Sequence, residues 1–154
     1  MFSRFKKVCL ITVLSIFSAF AYADIIGEVS TTFRAIGAND KIVVESFDDP
    51  HIPQITCYLS RAKTGGLTGA VGVAEDSSDA SIMCIKTANI GSKLSKDVTE
   101  KGVEVFKKST SLMLKTMQVV RFYHKTKNTV VYLVYSDKLI EGSPKNSVTV
   151  VPLN

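Results

Sequence analysis

The chain has 154 residues and a formal net charge of +5. The first 23 residues have the composition of an export signal, and the remaining 131 suit one domain, with no Pro-, Gly- or Ser-rich linker. Without those 23 residues, 16 basic and 14 acidic side chains remain, interleaved along the chain with a net charge of +2. Non-specific nucleic-acid binding requires a clustered basic face, so we expect no nucleic-acid partner.

The N-terminus has the three parts of a signal peptide. Basic residues precede the apolar stretch VCLITVLSIFSAF (8–20), and a small-x-small cleavage motif, AYA (21–23), follows it. The apolar stretch is shorter than the roughly 20 residues that span a bilayer. We therefore predict a signal peptide at residues 1–23, cleavage after Ala23, a periplasmic location and no stable membrane insertion after cleavage. An uncleaved interfacial anchor is the alternative.

Short β-prone segments separated by turn residues follow in the mature chain. They are KIVVESF (41–47), QITCYLSR (54–61), ASIMCIK (80–86), GVEVFKK (102–108), MQVVRFYH (117–124), TVVYLVYS (129–136) and SVTVV (147–151). In the second segment, Ile55, Cys57 and Leu59 share one face. The loop KTKN (125–128) predicts a hairpin, and its second arm, apolar on both faces, is typical of a central strand covered on both sides.

Helical signals are few. The stretch TGGLTGAVGVAEDSSDAS (64–81) has too many glycines for a long helix, and STSLMLKTM (109–117) fits either a helix or the start of a strand. We predict a mainly β fold for residues 24–154: a single antiparallel β-sheet or barrel-like domain with one or two short helices. An α+β fold is the alternative.

Cys57 and Cys84 are the two cysteines that remain after cleavage. An even number of cysteines in an oxidising compartment predicts a disulfide, which would close residues 57–84 as a loop and stabilise the fold by roughly 3 kcal/mol. The alternative is thiol–disulfide exchange. Enzymes of that class usually keep their cysteines as close as C-x-x-C, so the wide spacing favours a structural bond.

Several stretches of the mature chain, in matching order, resemble the CreA protein family. They are KIVVESFDDP (41–50), TCYLSRAKTGG (56–66), AEDSSDASIMC (74–84), FKKSTSL (106–112), VRFY (120–123) and YSDKLIEGSPKNS (135–147). The resemblance implies a small exported bacterial protein without an established biochemical activity, whose family name is linked to catabolite or carbon-source regulation. In one departure, His124 follows VRFY where the family has Asp. We interpret this position as an exposed end of a strand.

The glycine-rich stretch contains no phosphate-binding motif. A P-loop requires G-x-x-x-x-G-K-[ST], but no glycine in this chain precedes a lysine, and G-x-G-x-x-G is also absent. We interpret the stretch as a packed loop and expect no cofactor. The nearby acids Glu75, Asp76 and Asp79 do not match a calcium loop. DDPH (48–51) has groups that can ligate a metal or act as acid and base, but Pro50 and the nearby Pro53 favour a solvated turn.

The remaining candidates for a site lie in two polar segments, residues 57–84 and 135–147. No G-x-S-x-G nucleophile motif is present, and only His51 and His124 could serve as a base. Loops on a rigid sheet are where binding residues concentrate. We predict a shared polar patch in which the basic residues bind an anion and the acids are polar partners: Arg61, Lys63, Asp76, Asp79, Asp137 and Glu141. An ion-pair network that orders two loops is the alternative.

These features favour a non-catalytic binding or accessory protein whose partner is a small ligand or an envelope protein. One alternative is a periplasmic enzyme acting on a small anionic or sugar substrate. Another is a structural partner of an envelope or signalling complex.

Overall fold

The computed structural model describes residues 23–66, 79–91, 94–109, 116–137 and 145–154. They form eight strands and a 3-10 helix: β1 (Asp24–Ser30), β2 (Lys41–Asp49), β3 (Ile52–Lys63), β4 (Ala80–Lys86), β5 (Val103–Ser109), β6 (Thr116–His124), the 3-10 helix (Lys125–Lys127), β7 (Thr129–Ser136) and β8 (Asn146–Pro152). All seven segments predicted to be β-prone lie in strands, except that Gly102 precedes β5. The sequence did not predict β1, whose residues are exposed or half-buried and therefore lack a strict apolar alternation.

The strands form two antiparallel sheets, with the orders β1-β2-β3-β4 and β5-β6-β7-β8. The prediction of a mainly β, antiparallel fold is confirmed. The strands divide between two sheets, however, and no barrel closes among the described strands. Each sheet has one strongly buried face, and packing two such faces together removes more apolar surface from water than a single open sheet would.

The hydrophobic core lies between the two sheets. Ile55, Cys57 and Leu59 of β3 are fully buried, as their alternation predicted. Phe47 of β2 stacks on Phe106 of β5, with ring centroids 4.4 Å apart. This stacking is a direct contact between the two sheets.

The hairpin of β6 and β7 is confirmed, and its loop contains the 3-10 helix. Asn128 ends this helix with φ 47°, a left-handed conformation that Asn tolerates better than most residues. Strand β7 is buried on one face and half-buried on the other, so the expected covering of both faces is only partial. Of the segment expected to be a helix or a strand, Thr116 and Met117 begin β6; residues 110–115 lie outside the described residues.

In the part of the chain that the structure describes, no helix is long and apolar enough to cross a membrane. Residues 1–22 lie outside this part. Export and cleavage after Ala23 therefore stay predictions.

Candidate functional site

The predicted pairing of Cys57 and Cys84 agrees with the structure, in which their Sγ atoms lie 1.97 Å apart. We expected the bond to close residues 57–84 as a loop at its base, and the strand pairing around the cysteines corrects this expectation. The two cysteines face each other within the β3–β4 ladder, and residues 58–61 continue to pair with residues 80–83. The bond therefore lies inside a sheet. Both cysteines are buried, which favours a structural role because an attacking thiol has no access.

The glycines that follow β3 pack against the segment between β1 and β2. The N–H of Gly65 donates to Oδ1 of Asp40 (2.7 Å), and the N–H of Gly66 donates to the carbonyl of Ala38 (2.6 Å). A Cβ on Gly65 would overlap the carbonyls of Ala38 and Asn39. Gly65 thus packs closely against this segment, as the interpretation of a packed loop requires; the rest of the glycine-rich stretch, residues 67–78, lies outside the described residues.

Two residues of the predicted polar patch lie at one groove. Asp79 is exposed and pairs with Lys145 (3.3 Å), whereas Arg61 is buried. We call this cavity of about 360 Å³ the Arg61 groove; it is lined by Ile42, Ser60, Arg61, Ala62, Asp79, Ala80 and Ser81. Lys63 is exposed at the end of β3. Asp76 and Glu141 lie outside the described residues.

Asp137 belongs to a different place in the fold. It follows β7, and its Oδ1 accepts the N–H of Thr116 (2.7 Å) while its Oδ2 accepts an N–H from Gln118 (3.3 Å). The N–H of Asp137 also donates to the carbonyl of Thr116 (3.1 Å). Asp137 thus closes the end of the β6–β7 ladder. Of the predicted patch residues that the structure describes, Arg61 and Asp79 share a groove and Asp137 does not line it.

Arg61 forms a buried ion pair. Its Nε and Nη2 donate to Oε2 (3.2 Å) and Oε1 (3.3 Å) of Glu45, and Lys108 of the opposite sheet also donates to Oε1. Burial raises the pKa of Glu45, but the hydrogen bonds from Arg61 and Lys108 outweigh burial and hold this pKa below its ordinary value. We call these three residues the Glu45 cluster. Its carboxylate joins the two sheets, whereas the ion-pair alternative concerned a network between two loops, which the Asp79–Lys145 pair resembles more closely.

A second buried carboxylate, that of Asp49 in β2, joins the sheets through Arg121 in β6. Asp49 and Arg121 are both fully buried, and Nη1 of Arg121 donates to both carboxylate oxygens of Asp49, at 2.6 and 2.7 Å. The hydroxyl of Tyr132 donates to Oδ2 (2.7 Å). Burial, followed by the charge of Asp49, raises the pKa of Tyr132 far above its ordinary value, so this hydroxyl stays a donor. We call these residues the Asp49 cluster.

Asp49 also fixes the turn that follows it, because its Oδ1 accepts the backbone N–H groups of His51 (2.8 Å) and Ile52 (3.0 Å). The interpretation of DDPH (48–51) as a solvated turn is therefore wrong for Asp49: the turn is present, but this carboxylate faces the core. In the part of the chain that the structure describes, no group of three or more His, Cys, Asp or Glu side chains could hold a metal ion.

A cavity of about 380 Å³ lies beside the Asp49 cluster; we call it the His51 cleft. Its lining residues are His51, Ile52, Pro53, Gln54, Ile90, Gly91, Leu94 and Ser95. One wall is held by Asp49 through the N–H groups of His51 and Ile52. Asp97 lies two residues after the lining residue Ser95, and its carbonyl accepts an N–H from Nη2 of Arg121 (2.8 Å). Arg121 therefore links the Asp49 cluster to the segment that contains Ser95.

The surroundings of His51 favour one tautomer of its ring. Both Nη atoms of Arg121 lie 3.5 Å from Nδ1 of this ring. An arginine supplies only donors, so Nδ1 is the acceptor and the proton of the neutral ring lies on Nε2. His51 is half-buried, and among the described residues that line the cleft it is the one titratable side chain. The Nε2 of His51 can therefore donate a hydrogen bond, whereas the carboxylate oxygens of Asp49 already accept hydrogen bonds from Arg121 and Tyr132.

Sequence reasoning missed Glu45, Lys108 and Arg121 and assigned Asp49 to a solvated turn, although Glu45, Asp49 and Arg121 each carry a signal. Glu45 and Asp49 alternate with the core residues Val43 and Phe47, and Arg121 follows Val119 on the inward face of β6. A charged residue at an apolar position of a period-two pattern must find a buried partner. His124, in contrast, ends β6 and is exposed, as the interpretation of that position required.

Comparisons with known proteins give the family. The family model described as CreA protein matches residues 26–154. The chain is 49% identical over 151 residues to Protein CreA of Escherichia coli strain K12. The alignment covers 97% of this chain and 96% of the relative. Protein CreA of Escherichia coli O6:H1 strain CFT073 matches with the same identity and coverage. No solved structure matches. This chain, a two-sheet β protein with buried ion pairs between its sheets, belongs to the CreA protein family.

Proposed function

We propose that the protein is an exported, periplasmic binding or accessory protein that performs no reaction of its own. The observation that supports this proposal is the His51 cleft, a cavity of about 380 Å³ whose lining residue His51 lies 3.5 Å from the buried Arg121. Binding sites for small molecules are usually concave, largely preformed and of this size or larger. The family name is linked to catabolite regulation, and in this proposal the protein would contribute to such regulation by binding a ligand or a partner.

The state of the ionisable groups near both cavities favours binding over catalysis. Asp49 accepts hydrogen bonds from Arg121, from Tyr132 and from two backbone N–H groups, so it is not free to act as a base. Glu45 is bound by two cations and has a lowered pKa, whereas a general acid at neutral pH needs a raised one. These carboxylates are suited to holding the sheets in register.

A thermal-shift screen of the mature protein against metabolites and metal ions tests the binding function. A ligand that raises the melting temperature in a concentration-dependent way is the expected result. If no compound at high concentration raises it, the small-ligand function is wrong. Export is tested separately by the N-terminal mass of the native protein, which should begin at Asp24; a native protein that begins at Met1 contradicts export.

A second candidate function is that of a structural partner in an envelope complex. Five large apolar side chains on β1 and the segment after it are more than half exposed: Ile25, Ile26, Val29, Phe33 and Ile36. Exposed apolar patches of this kind mark protein interaction sites. Gel filtration of a periplasmic extract should then show the native protein in a larger complex than the purified protein forms, and replacement of Phe33 by Ser should release it. Equal sizes contradict this function.

A further inference from the structure

We propose that β1 binds an extended segment of a partner protein, which adds to the sheet of β1–β4 as a fifth strand and carries Lys or Arg between its apolar side chains. The inference rests on the second candidate function, that of a structural partner, and specifies how the partner binds. In such strand addition, backbone hydrogen bonds give affinity and the side chains give specificity.

The two sheets have four edge strands, and β1 is the one suited to strand addition. Strands β4 and β8 lie beside each other, since the N–H of Cys84 donates to the hydroxyl of Thr149 (3.4 Å). Strand β5 carries the ion pair of Glu104 and Lys107 (3.7 Å), and charged side chains commonly protect an edge. Strand β1 pairs with β2, and among the described strands it has no neighbour on its other side.

Strand β1 extends beyond the cover of the second sheet, β5–β8. Ile25 lies opposite Glu45 in the β1–β2 ladder, so the two side chains share one face of the sheet. Glu45, which Lys108 of β5 contacts, is 1% exposed, whereas Ile25 is 64% exposed. The second sheet therefore covers β2 and leaves the core-facing side of β1 open to a partner.

Both faces of β1 combine apolar and acidic side chains. The register shifts between Ile25 and Gly27, and this bulge reverses the alternation of the residues beyond it. Ile25 and Glu28 therefore share the core-facing side, whereas Asp24 and Val29, which is 67% exposed, share the outer side. A strand that covers β1 consequently needs apolar side chains on both faces, together with groups that bind carboxylates.

The charge of the partner follows from the β1–β2 ladder. Strand β1 contains Asp24 and Glu28 and no Lys or Arg. Asp48 of β2 is exposed on the same face as Asp24, two positions beyond Ser46, which lies opposite Asp24. Lys41 pairs with Glu28, and cleavage after Ala23 would add an α-amino group, so that acids still outnumber cations along these exposed positions. A second copy of β1 would bring further acids to this edge, and like charges across a ladder are destabilising.

Matched synthetic peptides test the proposal. Three seven-residue peptides alternate isoleucine with threonine and carry two lysines, two glutamates, or two lysines and a central proline; a fourth has the sequence of β1, DIIGEVS. Each is added at millimolar concentration to ¹⁵N-labelled protein that begins at Asp24, and the backbone amide shifts are followed. We expect the lysine peptide to shift the amides of β1 and to bind about tenfold more tightly than the glutamate peptide.

The other two peptides test the binding mode and the partner. Proline cannot donate to a ladder, so the proline peptide should bind much more weakly than the lysine peptide. Equal binding of these two, equal binding of the lysine and glutamate peptides, or a lysine peptide that leaves β1 unshifted would overturn the proposal. Tighter binding of the peptide DIIGEVS than of the lysine peptide would also overturn it, because the partner would then be a second copy.

The chain offers a matched pair of charge variants. In Glu28→Lys the difference between the lysine and glutamate peptides should disappear or reverse, whereas Glu104→Lys, at an exposed position of the edge strand β5, should retain it. An unchanged difference in Glu28→Lys would contradict the inference. If Glu28→Lys does not fold because its pair with Lys41 is lost, the unaltered protein still decides, since shifts in β5 instead of β1 refute strand addition at β1.

The outcome is separable from that of the structural-partner function. A larger complex in the periplasmic extract that Phe33→Ser releases, together with an unresponsive β1, would leave that function standing and refute strand addition. Binding of the lysine peptide at β1 without a larger complex in the extract would refute the function and support the strand-accepting edge. An extract without a complex, together with unresponsive peptides, would refute both.

Discussion

Asp49 and Arg121, from different sheets, form a fully buried ion pair in which both carboxylate oxygens lie within 2.7 Å of the same guanidinium nitrogen. Burying two charges costs desolvation that their attraction only partly offsets, so such a pair is weak evidence for added stability. Its contacts with the turn after β2 and with the carbonyl of Asp97 indicate a second role, which is to set the distance between two segments that do not pair in a sheet.

Removing one partner of this pair should be costly. We expect Arg121→Met to lower the free energy of unfolding by about 3–5 kcal/mol, because Asp49 would be left charged and buried without its counter-ion. Urea denaturation followed by circular dichroism measures the change. Lys145→Met, which removes the exposed pair with Asp79, is the control and should change the free energy by less than about 1 kcal/mol. Similar values for the two variants would contradict a buried pair.

Glu45 should make stability depend on acid pH. Its folded-state pKa lies below the ordinary value of 4.5, so the unfolded chain binds the proton more readily. The stabilisation from Glu45 is therefore present above pH 4.5 and is lost as the pH falls through the folded pKa. Denaturation curves across the acid range should show a shallower loss of stability in Glu45→Gln than in the unaltered protein. Glu104→Gln, at an exposed position of β5, should retain the original slope; an unchanged slope in Glu45→Gln would exclude this role.

Asp40 organises the segment between β1 and β2 and should titrate at an unusually low pH. Hydrogen bonds from the side chain of Arg34, the N–H of Gly65 and the hydroxyl of Thr32 lower its pKa from 3.8 to about 2. Carboxyl ¹³C shifts measured against pH should give this value. Arg34→Ala removes the largest contribution, so the pKa of Asp40 should rise toward 3.8. A titration that is the same with and without Arg34 would contradict the observed contacts.

The Cys57–Cys84 bond should be structural. Mass spectrometry of the non-reduced protein should show the linked peptides, and alkylation of the reduced thiols should require unfolding because both cysteines are buried. Replacing both cysteines by Ser should lower the free energy of unfolding by roughly 3 kcal/mol in the chain-entropy model. Free thiols in the native oxidised protein would refute the pairing.

Gly65 should not tolerate a side chain. A Cβ there would overlap the carbonyls of Ala38 and Asn39, so we expect Gly65→Ala to destabilise the protein by about 1–3 kcal/mol, as overpacking does. A Cβ at Gly27 in β1 would meet no heavy atom within 4 Å, and Gly27→Ala is therefore a matched control that should be neutral or slightly stabilising. Equal melting temperatures for the two variants would contradict the close approach at Gly65.

Much of the strand pattern could be predicted because it depends on local alternation. Ile55, Cys57 and Leu59 face the core, as a period of two requires, and the KTKN loop joins β6 to β7. Strand β1 could not be predicted in this way, since its exposed residues receive their conformation from pairing with β2. Which strands pair with each other depends on contacts between residues far apart in the sequence. For the same reason, the sequence pattern did not predict that the strands divide between two sheets.

The sequence by itself determined the family, the β class and the identity of the two paired cysteines, because each is written in residue order or in short-range periodicity. The tertiary structure decided which charged residues meet. Arg61 was predicted to bind an anion at the surface, but its partner Glu45 lies on the neighbouring strand and Lys108 on the opposite sheet. Asp49 and Arg121 are separated by 72 positions, and only sheet packing brings them together. A buried charge needs a partner of opposite charge, and the fold determines which residue that is. The separation of two residues along the sequence does not indicate whether they will pair.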